Sequence, residues 1–267
     1  MILVNGVADG MIAADDRGLT YGDGLFETVL FVAGSAPLWP RHMARLVEGC
    51  ARLLLPVPDT ELLAYETAQA CAGLPRAVAR ITFTRGAGPR GYASPDSVQA
   101  TRIVAGSSAP IAPPDWYHFG TRVRLCTLRL SEQPRLAGIK HLNRLEQVLA
   151  RAEWNDANIA EGILCDGAGR VIGATAANLF ALSGGRLVTP GLERCGVAGV
   201  ARAEVLAQRA DCEVRDLTMT ELMQADEVFL SNSVRGIVPV TALGDRRWPV
   251  GAVTRALQAH WRALGLE

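Results

Sequence analysis

Lysine is almost absent from this chain. Of 27 basic side chains, Lys140 is the only lysine and the rest are arginine. Arginine stays protonated under all physiological conditions, whereas a lysine can become a neutral amine and act as a nucleophile or a base. A single lysine in a chain that has delegated its surface charge to arginine is either a chance survivor or a residue that arginine cannot replace. Other candidates bear forks and glycines. Arg45 lies in a 39–54 stretch whose apolar positions Met43, Leu46, Val47, Cys50 and Leu54 recur at helical spacing. Its guanidinium could grip a phosphate bidentately, or simply sit solvated or salt-bridged. Arg90 stands between glycines in GPRGY (88–92), where the backbone can turn sharply and approach a ligand. Arg235 follows SNS (231–233), and GVAGVAR (196–202) runs into a helix whose first N–H groups could face an anion, unless it is a plain loop-to-helix junction.

These residues need a scaffold. Asn5-Gly6 marks a hairpin between two short strands within 1–14, and 25–32 reads as a strand. Helices follow at 39–54 and 59–72, then strands at 78–84 and 102–105. Three prolines between 107 and 114 make the best linker in the chain. Beyond it come a strand at 121–128, a helix at 142–152, short strands from 160 to 190, a helix at 199–210, strands near 212–217 and 227–231, and a helix at 250–264. The expected fold class is α+β, with an N-terminal α/β domain over 1–106, a linker at 107–115 and a C-terminal domain over 116–267.

Composition removes several function classes. Acidic and basic residues both number 27, so the net charge is zero and no basic face for nucleic acid is expected. No apolar run reaches the ~20 residues of a membrane span, and 1–14 lacks the pattern of a signal peptide. The six cysteines form no Cys-x-x-Cys pair and no zinc-ligand spacing, so they read as reduced, mostly buried thiols of a cytoplasmic protein, with no metal site.

The segment LAGIKHLNRLEQVLAR (136–151) resembles the lysine segment of the fold-type-IV pyridoxal-phosphate enzymes (the class IV aminotransferases), and within them most closely the aminodeoxychorismate lyases. YGDGLFE (21–27), HMARL (42–46), TRGAGPRGY (84–92), AANLF (176–180), GVAGVAR (196–202), QADE (224–227) and SNS (231–233) resemble further segments of that family in the same order. The resemblance implies a smaller N-terminal domain, a larger barrel-like C-terminal domain with pyridoxal 5'-phosphate in the cleft between them, and a homodimer. It implies that Lys140 binds the cofactor covalently and then acts as base, with Thr28 as the proposed acid. It places Arg45, the backbones of Val200 and Ala201, and Ser233 on the phosphate, and Asn143 beside the cofactor. Arg90, Tyr92 and Arg235 become substrate residues. The implied reaction turns 4-amino-4-deoxychorismate, a dicarboxylate, into 4-aminobenzoate and pyruvate on the route to folate. A D-amino-acid or branched-chain transaminase and a cofactor-free, non-catalytic member remain the alternatives. His141 is a further acid or base candidate, although its side chain is expected to point away from that of Lys140.

One position departs from the family pattern. The carboxylate that normally pairs with the pyridine nitrogen sits five residues before the asparagine of AANLF, and here that residue is Gly173. The nearest acids, Glu161 and Asp166, belong to the preceding strand. Loss of that partner weakens the ring as an electron sink, which a transaminase needs more than a lyase whose product gains aromaticity.

Overall fold

A computed structural model describes residues 1–95 and 97–266. Chain contacts divide it into a first unit, Met1–Pro110 with Ile139–Asn143 and Leu266, and a larger second unit, Ile111–Gly138 with Arg144–Gly265.

The first unit opens with strands β1 (Ile2–Val4) and β2 (Val7–Ala8), joined at Asn5 and Gly6, which both adopt positive φ as a tight hairpin requires. A short helix, α1 (Arg17–Tyr21), precedes β3 (Gly24–Val32). Helices α2 (Trp39–Leu53) and α3 (Thr60–Ala70) follow, then β4 (Arg76–Thr84) and β5 (Thr101–Ser108). The strands form one antiparallel sheet in the order β2-β1-β5-β4-β3, which leaves β3 at the edge. Side chains alternate across it. Leu25, Val29, Ile81, Phe83 and Val104 bury themselves with Met43, Leu46 and Cys50 of α2 and Leu63 of α3. Phe26, Thr28 and Arg80 fall on the opposite face.

The second unit contains α4 (Pro114–His118), β6 (Thr121–Leu130), α5 (Leu145–Arg151), β7 (Ile159–Asp166), β8 (Arg170–Ala174), β9 (Asn178–Ser183), β10 (Arg186–Pro190) and α6 (Val200–Gln208). It continues through β11 (Glu213–Arg215), β12 (Leu217–Thr218), α7 (Met219–Gln224), β13 (Glu227–Asn232), β14 (Gly236–Leu243), β15 (Arg246–Arg247) and α8 (Ala252–Ala263). Its ten-stranded mixed sheet runs β11-β10-β9-β13-β14-β6-β7-β8-β12 with β15 against β14, and curls so that β8 returns toward β9 and β10 as in a nearly closed barrel. Val123, Ile163, Leu179, Val188, Leu217, Leu230 and Val240 fill its main core.

Several elements differ from the sequence reading. The helix expected at 142–152 begins only at Leu145, because the chain up to Leu142 is held extended by antiparallel pairing with Gly24–Phe26. Ser107 and Ser108, read as linker, extend β5 by pairing with Val78 and Ala77. The short helices α1, α4 and α7 and the strand β14 were not anticipated. In β14, Pro239 sits opposite Phe229 of β13 while its carbonyl accepts from the Thr121 hydroxyl. All six cysteines are free, and burial pushes their thiols up, Cys50 to about 12. No helix among the described residues is long and apolar enough to cross a membrane.

Candidate active site

Lys140 is presented by a main-chain ladder. Phe26 donates its N–H to the Lys140 carbonyl at 3.1 Å, Leu142 donates to the Gly24 carbonyl at 3.0 Å, and Leu25 and His141 form an antiparallel bridge. The five residues Ile139–Asn143 therefore run along the open edge of β3. Ile139 turns into the core and Lys140 turns the other way, as alternation requires. The Lys140 Nζ lies 4.1 Å from the centre of the Phe26 ring, a cation–π contact. Asn143, expected beside the cofactor, donates its Nδ2 to the Gly22 carbonyl at 3.1 Å and so pins the end of this segment to the turn after α1.

Thr28 lies two residues past Phe26, on the same face of β3, and is half-buried. Its register partner on β4 is Arg80, whose guanidinium carbon is 4.2 Å from the centre of the same Phe26 ring. The Arg80 side chain is exposed, the partial desolvation there lowers its pKa from the ordinary value, and no ion pair to a carboxylate is formed among the described residues. Arg80 is a functional candidate that the sequence reading missed. The alternation of Arg76, Arg80 and Thr82 with buried Ala77, Ala79, Ile81 and Phe83 was the available signal.

Glu27, on the core side of β3, is 1% exposed. It accepts Nε of Arg45 at 2.8 Å and Nη2 at 2.5 Å, and Nδ1 of His42 at 2.6 Å. His42 and Arg45 are three apart and share one face of α2. Burial alone would push the Glu27 carboxyl up, but the Arg45 charge and the hydrogen bonds from His42 and Arg45 bring it down to about 2. Burial drives the His42 pKa down, and the charges of Arg45 and Lys140 reinforce it against the pull of Glu27. His42 is thus neutral, with Nδ1–H donating to Glu27 and Nε2 buried without a hydrogen-bond partner. The expected phosphate residue Arg45 therefore already carries a carboxylate on one edge of its guanidinium.

Arg90 and Tyr92 sit on a loop fastened to α1. Arg17 donates to the carbonyls of Gly91 at 2.8 Å and Tyr92 at 3.2 Å, Gly91 donates to the Tyr21 hydroxyl, and the Tyr21 and Tyr92 rings are 5.6 Å apart. Asp23 holds Arg17 and Arg85 together beneath it; burial raises its carboxyl, and the two arginines more than reverse that. The loop is anchored by its backbone, leaving the Arg90 and Tyr92 side chains exposed.

The second unit assembles its own cluster. α6 starts at Gly199 with no side-chain cap, and the N–H groups of Val200 and Ala201 open the helix. A Cβ on Gly199 would collide with Oδ1 of Asn178, whose Nδ2 donates to the Val197 carbonyl at 2.9 Å. Ser231 is in register with Asn178 across β9 and β13, and its buried hydroxyl has no partner. Asn232 orders the following loop: its Oδ1 accepts from the N–H groups of Val234 and Arg235, and its Nδ2 donates to Ala176. Ser233 lies in that loop. Arg235 faces Trp116, 5.9 Å from its ring centre, and Oε2 of Glu161 at 3.5 Å. Glu161 is buried and also takes the Thr175 hydroxyl and the N–H of Gly162. Around Gly173 a Cβ would meet only the Ala177 carbonyl at 3.1 Å and the Asn178 Cα at 3.9 Å, so no side-chain carboxylate abuts this position.

The first unit thus presents a lysine amine over an aromatic ring, and the second an uncapped helix start against Asn178, the register partner of Ser231. The family model described as amino-transferase class IV matches residues 24–243. The chain belongs to that family. The chain is similar to the aminodeoxychorismate lyase of Vibrio harveyi, 35% identical over 97% of this chain and 99% of that protein. The crystal structure of 4-amino-4-deoxychorismate lyase from Pseudomonas aeruginosa superposes with a TM-score of 0.94 at 49% identity, covering 98% of both chains. A D-alanine aminotransferase of Listeria monocytogenes is 27% identical over 87% of this chain and 82% of its own length. The class IV family thus contains both the eliminating and the transaminating chemistry weighed above.

Proposed function

We propose that this chain converts 4-amino-4-deoxychorismate into 4-aminobenzoate and pyruvate, with pyridoxal 5'-phosphate as its cofactor. The observation that carries the reading is the likeness to lyases over essentially the whole of both chains, with Lys140 as the one side-chain amine available. The donor set suits the cofactor's two reactive ends. Lys140 would hold the aldehyde carbon, while the Val200 and Ala201 N–H groups, Ser233 and Arg45 would hold the phosphate, with the orphan Ser231 hydroxyl as a further donor. At the ring nitrogen the fit differs, since Gly173 offers no acid.

When bound, the cofactor withdraws electrons through the substrate's amino nitrogen and acidifies the neighbouring C4–H. Lys140 Nζ, as a neutral amine, would take the C4 proton. The C3–O bond then breaks, and the ring left behind becomes aromatic. Thr28, on the Phe26 face, would pass a proton from its Oγ1 to the methylene carbon of the departing enolpyruvate, which leaves as pyruvate, and would regain one from Lys140, which holds the proton removed from C4. Arg80, Arg90, Tyr92 and Arg235 serve the two substrate carboxylates, and Asn143 keeps the lysine segment in place. Aromatisation supplies driving force that transamination lacks, so a missing acid at Gly173 favours the lyase over a transaminase. The same reading makes the protein a cytoplasmic homodimer, supported by the family likeness and by six free thiols. It also keeps two domains, an N-terminal one over 1–106 and a cofactor-binding one over 116–267, with β5 taking the first residues of the 107–115 linker and Ile139–Asn143 belonging to the first unit.

The test supplies purified protein with aminodeoxychorismate and measures 4-aminobenzoate and pyruvate, beside keto-acid formation from D-alanine and branched-chain amino acids. Keto acids without 4-aminobenzoate would overturn the lyase reading. A protein that develops no visible absorbance with added pyridoxal phosphate would point to the non-catalytic alternative.

A further inference from the structure

Glu27 takes no part in the reaction above, yet it has a demanding environment. It is 1% exposed, between Phe26 and Thr28 in sequence, and both of its oxygens are committed to α2. A buried carboxylate loses its hydration at a large cost unless partners offset it. Here Arg45 and His42 do so, and the carboxyl remains ionised down to about pH 2.

A guanidinium has two edges that can bind an oxyanion with parallel N–H bonds: Nε with Nη2, and Nη1 with Nη2. Glu27 occupies the first. That contact fixes the plane of the guanidinium and the direction of its far edge. His42 bonds the Oε2 that also receives Nη2, which stops the carboxylate from swinging. We propose that Glu27 is a positioning residue that aims Arg45 at the phosphoryl group of the cofactor; this rests on the reading of Arg45 as a phosphate residue.

Electrostatics alone gives the opposite sign. Glu27 is a negative charge beside an arginine that must attract a phosphate, and with His42 neutral the group of three carries no net charge. Were charge the governing factor, Glu27→Gln would strengthen phosphate binding. Were aim the governing factor, it would weaken binding, because the bidentate contact that sets the guanidinium plane would be lost.

The experiment measures equilibrium dissociation constants of pyridoxal phosphate and of pyridoxal, which lacks the phosphate, for the full chain stripped of cofactor. The pyridoxal constant divided by the pyridoxal phosphate constant isolates the phosphate contribution. Glu27→Gln is expected to lower that ratio by roughly tenfold through the phosphorylated ligand alone. Glu27→Asp keeps the charge but shortens the reach, and is expected to do the same. Since a lone buried Arg45 can compromise folding, the double variant Glu27→Gln/Arg45→Gln is compared with Arg45→Gln, where Glu27→Gln should have no further effect. An Arg45→Gln protein with an unchanged ratio would remove the phosphate reading of Arg45, and the proposal with it. A ratio that collapses in Arg45→Gln but holds or rises in Glu27→Gln would leave Arg45 in its role and overturn the proposal for Glu27. A further drop in the double variant would overturn it as well.

Discussion

Phe26 and Lys140 hold each other twice: the Phe26 N–H donates to the Lys140 carbonyl at 3.1 Å, and the Lys140 amine stands 4.1 Å from the centre of the Phe26 ring. The backbone bond fixes where the lysine leaves the chain, and the ring fixes where its amine goes. Phe26→Leu keeps the first and removes the second. It is expected to lower kcat by roughly 2- to 30-fold, the range of one cation–π contact, with KM little changed. An unchanged kcat would show that the ring does not steer the amine.

Lys140→Arg separates charge from chemistry. The arginine preserves the cation over Phe26 but cannot become a neutral amine. The protein should keep its melting temperature and lose both turnover and the visible absorbance of bound cofactor. Retained turnover would remove Lys140 from its proposed role.

Arg80 shares the Phe26 ring with Lys140, so the two cations are no further apart than their two ring distances combined. On the proposed reading, Arg80 serves a carboxylate of the substrate bound at the lysine. Arg80→Gln is expected to raise KM for the dicarboxylate by roughly 10- to 100-fold, the loss of one charged hydrogen-bonded pair, with cofactor affinity unchanged. Weakened cofactor binding with normal KM would assign Arg80 elsewhere.

Acid stability carries the signature of Glu27 and His42. Both have folded pKa values below their ordinary ones, 4.5 and 6.5, so the unfolded chain binds protons first as pH falls. Their stabilisation is complete above about pH 6.5. His42 begins to withdraw its share below that point, and Glu27 withdraws its own between 4.5 and about 2. Melting temperatures from pH 8 to 4 should fall in the upper window for the native protein and stay flatter there for His42→Asn, which keeps a donor near the Nδ1 position.

Gly173→Glu restores an acid at the ring nitrogen. Its Cβ would press on the Ala177 carbonyl at 3.1 Å, a contact that a shift of a few tenths of an ångström relieves, so the variant should fold. Transamination of D-alanine is expected to rise while lyase turnover persists. A large gain in transamination with no lyase turnover in either protein would defeat the lyase reading.

What the sequence made legible follows from how far each signal travels along the chain. Lys140 stood out by scarcity, and α2 by the period of Met43, Leu46 and Cys50, both local signals. Arg80 and Glu27 did not stand out, because their importance lies in partners set by strand register and helix packing: Thr28 and Phe26 for one, His42 and Arg45 for the other. The start of α5 was misplaced for the same reason. The apolar spacing carries on back to Leu142, and only the extended pairing of that stretch with Gly24–Phe26, distant in sequence, holds it out of the helix. Pro239 within β14 breaks the usual strand pattern, and its tolerance there depends on neighbours distant in sequence.

The edge of β3 is closed by residues made long after it. Synthesis proceeds at roughly 5–20 residues per second. The first unit's sheet is therefore out of the ribosome for several seconds before Ile139–Asn143 emerge to cover Gly24–Phe26. During that interval the nascent chain shows an unpaired strand edge, a template for association with another chain. The segment that carries Lys140 thus also closes the edge of the first unit's sheet, and a chain truncated before it would lose its only lysine and its protection from aggregation together.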